Sequence, residues 1–255
     1  MTETGWPLIP REVLPPPIPV ERRSHQRGAP GRPNGRQLPM FGAETIEPSP
    51  ADLTGLLAGP GRLGRIGGTA RVSVIVDDAW RVHVLVAELV ARGLAATWAP
   101  VVEAPPAEPE KPEDQDPVEV RGEPPVPEEE ILDTPVEPPP PRFEVRTAYS
   151  RRLNALARAW PEAAAELFLS GPRLRLWVAA AGSPRPGGYR LGLDPARDGL
   201  VVDAALVRAG LAGRVSEDGR SYLITGRRRL TRLAELVGER PEAAPSEVWP
   251  GGAGA

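Results

Sequence analysis

Apolar residues recur along the chain at two spacings, and each spacing predicts a different kind of element. Before residue 100 the pattern predicts a helix at Pro50–Leu63, with Ser49 as its N-cap, and a strand at Ala70–Val76, which is rich in β-branched residues. Apolar positions three and four residues apart then predict a second helix, which Gly93 ends; they are Val82, Leu85, Val86, Leu89 and Val90. A short strand is predicted at Leu94–Trp98.

The same two spacings resume after residue 142. The predicted strands are Phe143–Tyr149, Arg173–Ala179, Tyr189–Leu193 and Ser221–Thr225. The predicted helices are one that begins with Leu153, Leu156 and Ala157, and those at Ala163–Leu169, Val201–Ala209 and Arg228–Val237. If Arg173–Ala179 is a strand, Arg173 and Arg175 share one face and Leu174 and Leu176 share the other.

Composition divides the chain into folded and unfolded parts. Residues 100–141 contain 14 prolines and 13 acidic against 2 basic side chains. Such a segment cannot bury enough apolar surface to offset its ordering entropy, so we predict a disordered insert. The other predicted parts are a disordered arm (1–48), a first half (49–99), the rest of the folded chain (142–240) and a disordered tail (241–255). The insert is either a solvated linker, which we favour, or a mimic of nucleic-acid charge that covers a basic face.

Several classes of protein are excluded by residues that the chain lacks. It has no cysteine and only two histidines, so disulfides, thiolate zinc sites and histidine-rich metal centres are not expected. No run of about 18 apolar residues is present, and the N-terminus lacks the pattern of a secretory signal, so a cytoplasmic protein is expected. No nucleotide-binding loop, serine triad or cofactor fingerprint occurs, so we expect no cofactor and no metabolic enzyme.

Three pairs of similar segments indicate an internal duplication. Two of the pairs have five identical positions in seven, and the third is a shorter match around Gly-Pro. The pairs are Leu89–Ala95 with Leu206–Ala212, Arg151–Ala157 with Arg228–Ala234, and Ala58–Pro60 with Ser170–Pro172. Together with the predicted elements they indicate an α+β fold of two units, each in the order helix, strand, strand, helix, strand, helix.

The duplicated layout resembles the LAGLIDADG homing-endonuclease fold, which also occurs in a family of sporulation regulators that bind DNA without cutting it. The stretch Leu53–Gly61 is similar to the signature nonapeptide at Leu53, Gly55, Leu56 and Gly61, and Ile224–Leu230 is similar to the closing element of a repeat. The resemblance implies two paired signature helices beneath a DNA-facing saddle of two antiparallel sheets. The whole chain also resembles a protein family of high-GC actinobacteria, which implies no activity.

The signature departs from that of the nucleases at the position that holds the metal. In the nucleases the last acid of each signature helix binds a divalent cation; here that position is Pro60 in the first half and Pro172, or its neighbour Arg173, in the second. Proline has no side-chain ligand, so the resemblance implies DNA binding without cleavage. The alternatives are a metal-dependent endonuclease that uses relocated acids, and an interaction scaffold that does not bind DNA. The acids considered are Asp77, Asp78 and Asp194, although Asp78 is more simply explained as a helix cap.

Arginine supplies the candidate DNA contacts. Some of these arginines flank predicted strands, and others begin predicted helices, where a cation opposes the helix dipole and therefore favours an external anion such as phosphate. The candidates are Arg62, Arg65, Arg71, Arg151, Arg152, Arg173, Arg175, Arg190, Arg227, Arg228 and Arg229.

One apolar cluster stands in the otherwise polar arm. The segment Gln37-Leu38-Pro39-Met40-Phe41 resembles the pentapeptide by which bacterial polymerases and repair proteins bind the sliding clamp. Leu38, Met40 and Phe41 would fill a hydrophobic pocket, and Gln37 would form hydrogen bonds beside it. The other possibility is that Met40 and Phe41 pack on the folded part ahead of the first helix.

Overall fold

The computed structural model describes residues 40–101 and 141–251, which belong to one structural unit. The first half contains α1 (Thr54–Ala58), β1 (Arg62–Ile66), β2 (Thr69–Val76), α2 (Ala79–Ala91), β3 (Ala96–Pro100), β4 (Phe143–Thr147) and α3 (Asn154–Ala159). The second half contains α4 (Gly171–Ala181), β5 (Gly182–Arg185), β6 (Gly188–Gly192), α5 (Gly199–Arg208), β7 (Gly213–Val215), β8 (Ser221–Thr225) and α6 (Arg227–Val237). Of the predicted disordered arm (1–48), insert (100–141) and tail (241–255), residues 1–39, 102–140 and 252–255 lie outside the described residues. Within the predicted tail, Ala244 and Trp249 are buried.

The two halves have the same topology. The strands form two four-stranded antiparallel sheets, in the orders β1-β2-β4-β3 and β5-β6-β8-β7. This confirms the predicted α+β class and the predicted duplication. Each half has one strand more than the predicted order, because a second strand follows the middle helix in both. No helix in the described part of the chain is long and apolar enough to cross a membrane.

The first helix begins as predicted but ends earlier. Ser49 is its N-cap: the Ser49 hydroxyl accepts a hydrogen bond from Ala51, and the Asp52 carboxylate accepts one from the Ser49 backbone at 2.9 Å. A 3₁₀ turn at Pro50–Leu53 leads into α1, which stops at Ala58. The prediction of helix to Leu63 is therefore wrong, because Gly59, Pro60 and Gly61 interrupt the helix and the chain turns into β1.

The largest error concerns Arg173–Ala179, which was predicted as a strand and lies within helix α4. Its leucines and arginines alternate, which is typical of a half-buried strand. The helix is nevertheless buried on nearly all sides between the two halves, and apart from Arg173 and Arg175 its side chains are apolar. The buried residues include Leu174, Leu176, Trp177, Val178, Ala179 and Ala180. The two arginines thus do not share a strand face.

Three further differences arise where tertiary contacts override local pattern. Strands β5 and β7 were not predicted; both are short and poor in apolar residues, and pairing with β6 and β8 holds them in place. The predicted helix Ala163–Leu169 contains only the end of a 3₁₀ turn at Glu162–Ala164, followed by chain without helix.

Two of the three repeat matches occupy equivalent places. Leu89–Ala95 and Leu206–Ala212 end the middle helices, where Gly93 and Gly210 adopt φ of 68° and 79°. Arg151–Ala157 and Arg228–Ala234 both lie in the last helical segment of their half. The third match is wrong, because Ala58–Pro60 follows the C-terminal end of α1 and Ser170–Pro172 lies at the N-terminal end of α4.

Helices α1 and α4 form the contact between the halves. A Cβ atom at Gly55 would lie 2.0 Å from the carbonyl oxygen of Arg173, and one at Gly59 would lie 2.3 Å from the indole nitrogen of Trp177. From the first contact to the second, the chain advances four residues in each helix, from Gly55 to Gly59 and from Arg173 to Trp177, so the two helices run in the same direction. Because β1 follows α1 and β5 follows α4, these two strands start at the same end of the helix pair.

Candidate nucleic-acid interface

Each sheet has one face packed on helices and one open face. In β2 the buried residues are Ala70, Val72, Val74 and Val76, so the residues between them lie on the open face. The register then assigns the neighbouring strands, because directly opposed residues of an antiparallel pair share a face. Arg62 opposes Ser73, Gly64 opposes Arg71, and Ser73 also opposes Arg146. The open face of the first sheet therefore carries Arg62, Arg71 and Arg146.

The open face of the second sheet is assigned in the same way. Tyr189 and Leu191 of β6 are buried, so Arg190 lies on the opposite face together with its strand partners Ser183 and Leu223. The Arg190 Nε donates a hydrogen bond to the Ser183 hydroxyl at 3.2 Å. Arg185 opposes Gly188, and Arg214 opposes Leu223. This face thus also carries three arginines: Arg185, Arg190 and Arg214.

Most side chains around these arginines are small, apart from Ile66, Ile75 and Leu223, and acids are nearly absent. Glu144 is the single acidic residue in the eight strands that the structure describes, and it pairs with Arg146 on the same strand at 3.4 Å. The other open-face residues of the strands include Gly64, Ser73, Thr69, Thr97, Ala99, Ser183, Gly188, Gly192, Ser221 and Thr225. Faces of this kind allow a bulky anion to approach the strand backbone closely.

Arg71 and Arg190 occupy equivalent positions in the two sheets. Each lies in the second strand of its half, three residues after a hairpin glycine with positive φ, Gly68 at 72° and Gly187 at 70°. The guanidinium of Arg71 lies 4.9 Å from the centre of the Tyr149 ring. Both residues, together with Arg62, are among the DNA contacts predicted from the sequence.

Four of the predicted DNA contacts form hydrogen bonds within the fold. Arg65 opposes Ala70, which places it on the helix-packed face, and it donates to the carbonyl oxygens of Ala157 and Trp160. Arg152 donates to the carbonyl oxygen of Gly93 at 2.9 Å. Arg173 donates to the carbonyl oxygen of Phe168, while its Nε is buried without a partner among the described residues. Burial lowers the pKa of Arg173, and the nearby charge of Asp52 partly offsets this effect.

Arg175 is the most extensively bonded of the four. It forms an ion pair with Glu88 at 2.6 Å, donates to the carbonyl oxygens of Val237 and Glu239 at 2.8 and 2.6 Å, and lies over the Trp249 ring. Its donors are therefore committed to holding α2, α4 and the end of α6 together.

The remaining predicted arginines are exposed at the beginnings of helical segments. Arg151 begins the 3₁₀ turn that precedes α3, and Arg227, Arg228 and Arg229 begin α6. Arg229 donates to the carbonyl oxygen of Thr225 at 3.3 Å. These residues keep the predicted helix-start position and lie beside the strands rather than on their open faces.

Arginine side chains occupy the C-terminal ends of the paired helices. Arg81 of α2 is 8 % exposed and donates to the carbonyl oxygens of Ala179 and Gly182 at 3.0 and 2.7 Å, at the end of α4. Arg197 donates to the carbonyl oxygen of Gly61 at 2.6 Å, after α1. Burial lowers the pKa of Arg197, which Asp194 partly offsets. Each half thus places a cation at the negative end of the other half's helix.

Neither helix end carries an acid. The chain after α1 reads Gly59, Pro60 and Gly61, and α4 ends with alanines at 179, 180 and 181. The assignment of the second metal position to Pro172 or Arg173 is wrong, because both lie in the first turn of α4, at its opposite end.

Each of the three acids considered for a relocated metal site forms an ion pair with a different arginine. Asp77 pairs with Arg142 at 3.6 Å, Asp78 with Arg81 at 3.1 Å, and Asp194 with Arg62 at 3.6 Å. Asp78 is the N-cap residue of α2, but its side chain forms no capping hydrogen bond. In the part of the chain that the structure describes, no group of three or more His, Cys, Asp or Glu residues could hold a metal ion.

A buried chain of charges connects the helices behind this site. The guanidinium of Arg92, 1 % exposed, pairs with Asp52 at 3.1 Å and with Glu88 at 2.7 Å, and Glu88 also pairs with Arg175. Burial opposes the ionisation of Glu88, but the charges and hydrogen bonds of Arg175 and Arg92 hold its pKa below the ordinary value. The network keeps α1, α2 and α4 in a constant arrangement.

The arm segment with the clamp-like motif is described only at its end. Gln37 and Leu38 lie outside the described residues. Met40 is 79 % exposed, and Phe41 is 45 % exposed with its ring 5.2 Å from that of Phe168 in an edge-to-face contact. The Phe41 carbonyl oxygen accepts a hydrogen bond from the backbone of Gly171. Phe41 thus packs on the folded part, as in the second of the two interpretations, and remains half accessible.

Three open-face arginines were absent from the sequence prediction: Arg146, Arg185 and Arg214. Arg146 lies in a predicted strand between Val145 and Thr147, and this alternation could have placed it on the open face. Arg185 and Arg214 lie in β5 and β7, which local pattern did not predict. Arg81 was also missed, because its partners are carbonyl groups about a hundred residues away.

Comparison with solved structures finds a similar layout in the homing endonuclease I-DmoI. A structure of its mesophilic variants has a TM-score of 0.41 and 13 % identity, over 75 % of this chain and 96 % of that chain. A crystal structure of I-DmoI in complex with DNA and Mn has a TM-score of 0.39 and 12 % identity, over 75 % and 97 %. No protein-family model and no curated protein matches the sequence. Nothing about the activity of this chain follows from these similarities.

Proposed function

We propose that this protein binds DNA through the open faces of its two sheets and does not cleave it. The observation that carries the proposal is the charge of those faces: three arginines on each, against one acid in all the described strands. A protein that binds DNA in this way would be associated with the nucleoid.

The side chains around these arginines favour a nucleic acid over a protein partner. An interface with another protein has an apolar centre, whereas these faces consist of arginine, glycine, serine and threonine with few large apolar residues. Arginine forms bidentate hydrogen bonds with phosphate, and phosphate contacts release counterions. Binding is therefore expected to weaken steeply as the salt concentration rises.

The test is fluorescence anisotropy with labelled duplex and single-stranded DNA over a salt series. The variant Arg71→Gln/Arg190→Gln removes one equivalent arginine from each open face. We expect at least about tenfold weaker binding at low salt and a shallower dependence on salt. The matched controls are Arg158→Gln, an exposed arginine on α3, and Arg232→Gln on α6; together they remove the same charge and should leave the affinity nearly unchanged.

Two outcomes would contradict DNA binding. The first is a lack of binding to either DNA even at low salt. The second is binding that the two controls weaken as much as the open-face variant does, because the affinity would then depend on overall charge. Either result would favour an interaction scaffold, for which a partner should bind with little dependence on salt.

The absence of cleavage is the second part of the proposal, and the helix ends support it. Two arginines donate to the carbonyl oxygens there, and a guanidinium repels a divalent cation that approaches the same oxygens. We expect no nicking of supercoiled plasmid in Mg²⁺ or Mn²⁺ at concentrations where DNA is fully bound. Metal-dependent nicking that is lost in Asp194→Asn would instead establish the endonuclease with relocated acids.

Recruitment by the bacterial sliding clamp is a further part of the proposal. Met40 is exposed and Phe41 is half-exposed, so the end of the motif is accessible. On DNA that carries a clamp, a weak contact of this peptide with the clamp would add to a weak contact of the sheets with the DNA. The test is a pull-down of the protein by the clamp. Gln37→Ala and Phe41→Ala should abolish capture, whereas Phe168→Ala should retain or increase it, because Phe41 then loses its internal partner. Capture that survives Phe41→Ala would overturn this part.

A further inference from the structure

We propose that the open face of the first sheet is a docking surface for this chain's own acidic segment, residues 102–140. The face is unpartnered within the described residues and carries Arg62, Arg71 and Arg146. Three properties of this segment suit it to the face: the place where it joins the fold, its charge and its length.

The segment joins the fold at the edge of this sheet. Strand β3 ends at Pro100 and β4 begins at Phe143, and the two are paired neighbours. The backbone of Val101 donates to the carbonyl oxygen of Arg142 at 2.8 Å, so both ends of the segment leave from one place. Arg146 is four residues from that place, on the open face.

The charges of the segment and the face are complementary. Residues 102–140 contain 13 acidic and 2 basic residues, whereas among the described residues the three arginines of the face pair with only two acids, Arg62 with Asp194 and Arg146 with Glu144. Arg71 and Arg62 lie on strands that contain no acid at all. Because carboxylates and phosphates bind arginine through the same hydrogen-bonding geometry, a face suited to one of them suits the other.

The segment is long enough to reach every arginine of the face. The four strands span about 14 Å from β3 to β1, at the usual distance between strands. Because both ends of the 39-residue segment are held at one place, its middle can reach at most half the extended length of the chain, about 60 Å. A tethered partner of this kind is present at an effective concentration of about millimolar, so even weak contacts are occupied.

The docked segment would compete with any nucleic acid for the first sheet. This consequence rests on the proposed function, whereas the docking itself does not. DNA that also binds the second sheet, through Arg185, Arg190 and Arg214, would displace the segment. A ligand that contacts only the first sheet would not, so the segment would favour ligands that engage both sheets.

The first experiment measures docking directly, without DNA. A full-length variant in which all 13 acids of residues 102–140 are replaced by the corresponding amides is titrated with a labelled synthetic peptide of the natural residues 102–140. The peptide should bind at low salt and dissociate as the salt concentration rises. The amide form of the peptide is the control and should not bind.

Two triple variants with equal charge changes locate the docking surface. In the amide background, Arg62→Gln/Arg71→Gln/Arg146→Gln should weaken peptide binding at least about tenfold. Arg185→Gln/Arg190→Gln/Arg214→Gln should have a much smaller effect, since it alters the other sheet. Circular dichroism and a denaturation midpoint verify that both variants fold. The proposal is overturned if the peptide does not bind, or if the two triple variants weaken binding equally.

The second experiment measures competition. The amide variant should bind duplex DNA at least about tenfold more tightly than the natural chain at low salt, and the difference should vanish at high salt. Equal affinities at low salt would overturn the competition. If the peptide docks as described and neither protein binds DNA, the docking stands and the proposed function fails.

Discussion

A Cβ atom added to Gly55 would lie 2.0 Å from the carbonyl oxygen of Arg173, so helices α1 and α4 approach each other at backbone distance. This contact joins the two halves, and with them the two arginine faces. Only glycine permits it, because the obstructing atom belongs to the backbone and cannot move away by changing a rotamer.

Replacement of Gly55 should therefore separate the helices. We expect Gly55→Ala to reduce the free energy of unfolding by about 1–3 kcal/mol, through overpacking of the helix contact. Gly64→Ala is the control, because the nearest atom there is Cγ of the flexible Arg71 side chain at 3.3 Å. Urea denaturation of the two variants measures the difference. A Gly55→Ala protein as stable as the natural one would contradict the close helix contact.

Loss of Arg92 should be more costly than loss of an exposed arginine. Arg92→Met leaves the buried carboxylates of Asp52 and Glu88 without this partner, and breaking a buried pair in this way costs about 3–5 kcal/mol. Arg146→Met removes an arginine whose ion pair is partly exposed, which is worth about 1 kcal/mol or less. Chemical denaturation of both variants provides the comparison, and equal losses of stability would be inconsistent with the buried network.

The pH dependence of stability should report on Glu88. Its pKa is held below the ordinary value of 4.5 in the folded protein, so its contribution is present above the unfolded pKa and is lost as the pH falls through the folded pKa. In that window the unfolded state binds more protons, and stability rises with pH. When the pH is lowered from 6 through the pKa of Glu88, the free energy of unfolding should therefore fall less in Glu88→Gln than in the natural protein. An equal fall in the two proteins would contradict the lowered pKa of Glu88.

The two arginines at the helix ends should differ in their contributions. Arg81→Met leaves buried carbonyl oxygens of Ala179 and Gly182 without a donor, for which we expect a loss of about 2–4 kcal/mol. Arg197→Met removes one hydrogen bond from a more exposed position, with an expected loss of about 1 kcal/mol. Thermal denaturation ranks the two variants, and the reverse order would contradict the assigned burial.

Much of the fold could be predicted because local spacing agrees with tertiary burial in most elements. Strand β2 is rich in β-branched residues and packs on the core through one face, so the alternation in its sequence predicts a strand correctly. Helix α2 was predicted for the same reason, and Gly93 and Gly210 mark the ends of their helices through positive φ. The candidate site was predicted in part: Arg62, Arg71 and Arg190 lie on open faces, whereas Arg65, Arg152, Arg173 and Arg175 bond to distant carbonyl groups or carboxylates.

Four features follow from the amino-acid sequence alone: the α+β class, the duplication, the lack of an acid at Pro60, and the separation of an acidic segment from an arginine-rich one. These are properties of composition and short-range spacing, and they do not depend on which surfaces meet. The helix at Arg173–Ala179, the end of α1 at Ala58 and the set of outward-facing arginines depend on tertiary contacts. A helix buried on all sides has no polar face to give it a period, and an arginine is exposed or internal according to whether a carbonyl or carboxylate from a distant part of the chain reaches it.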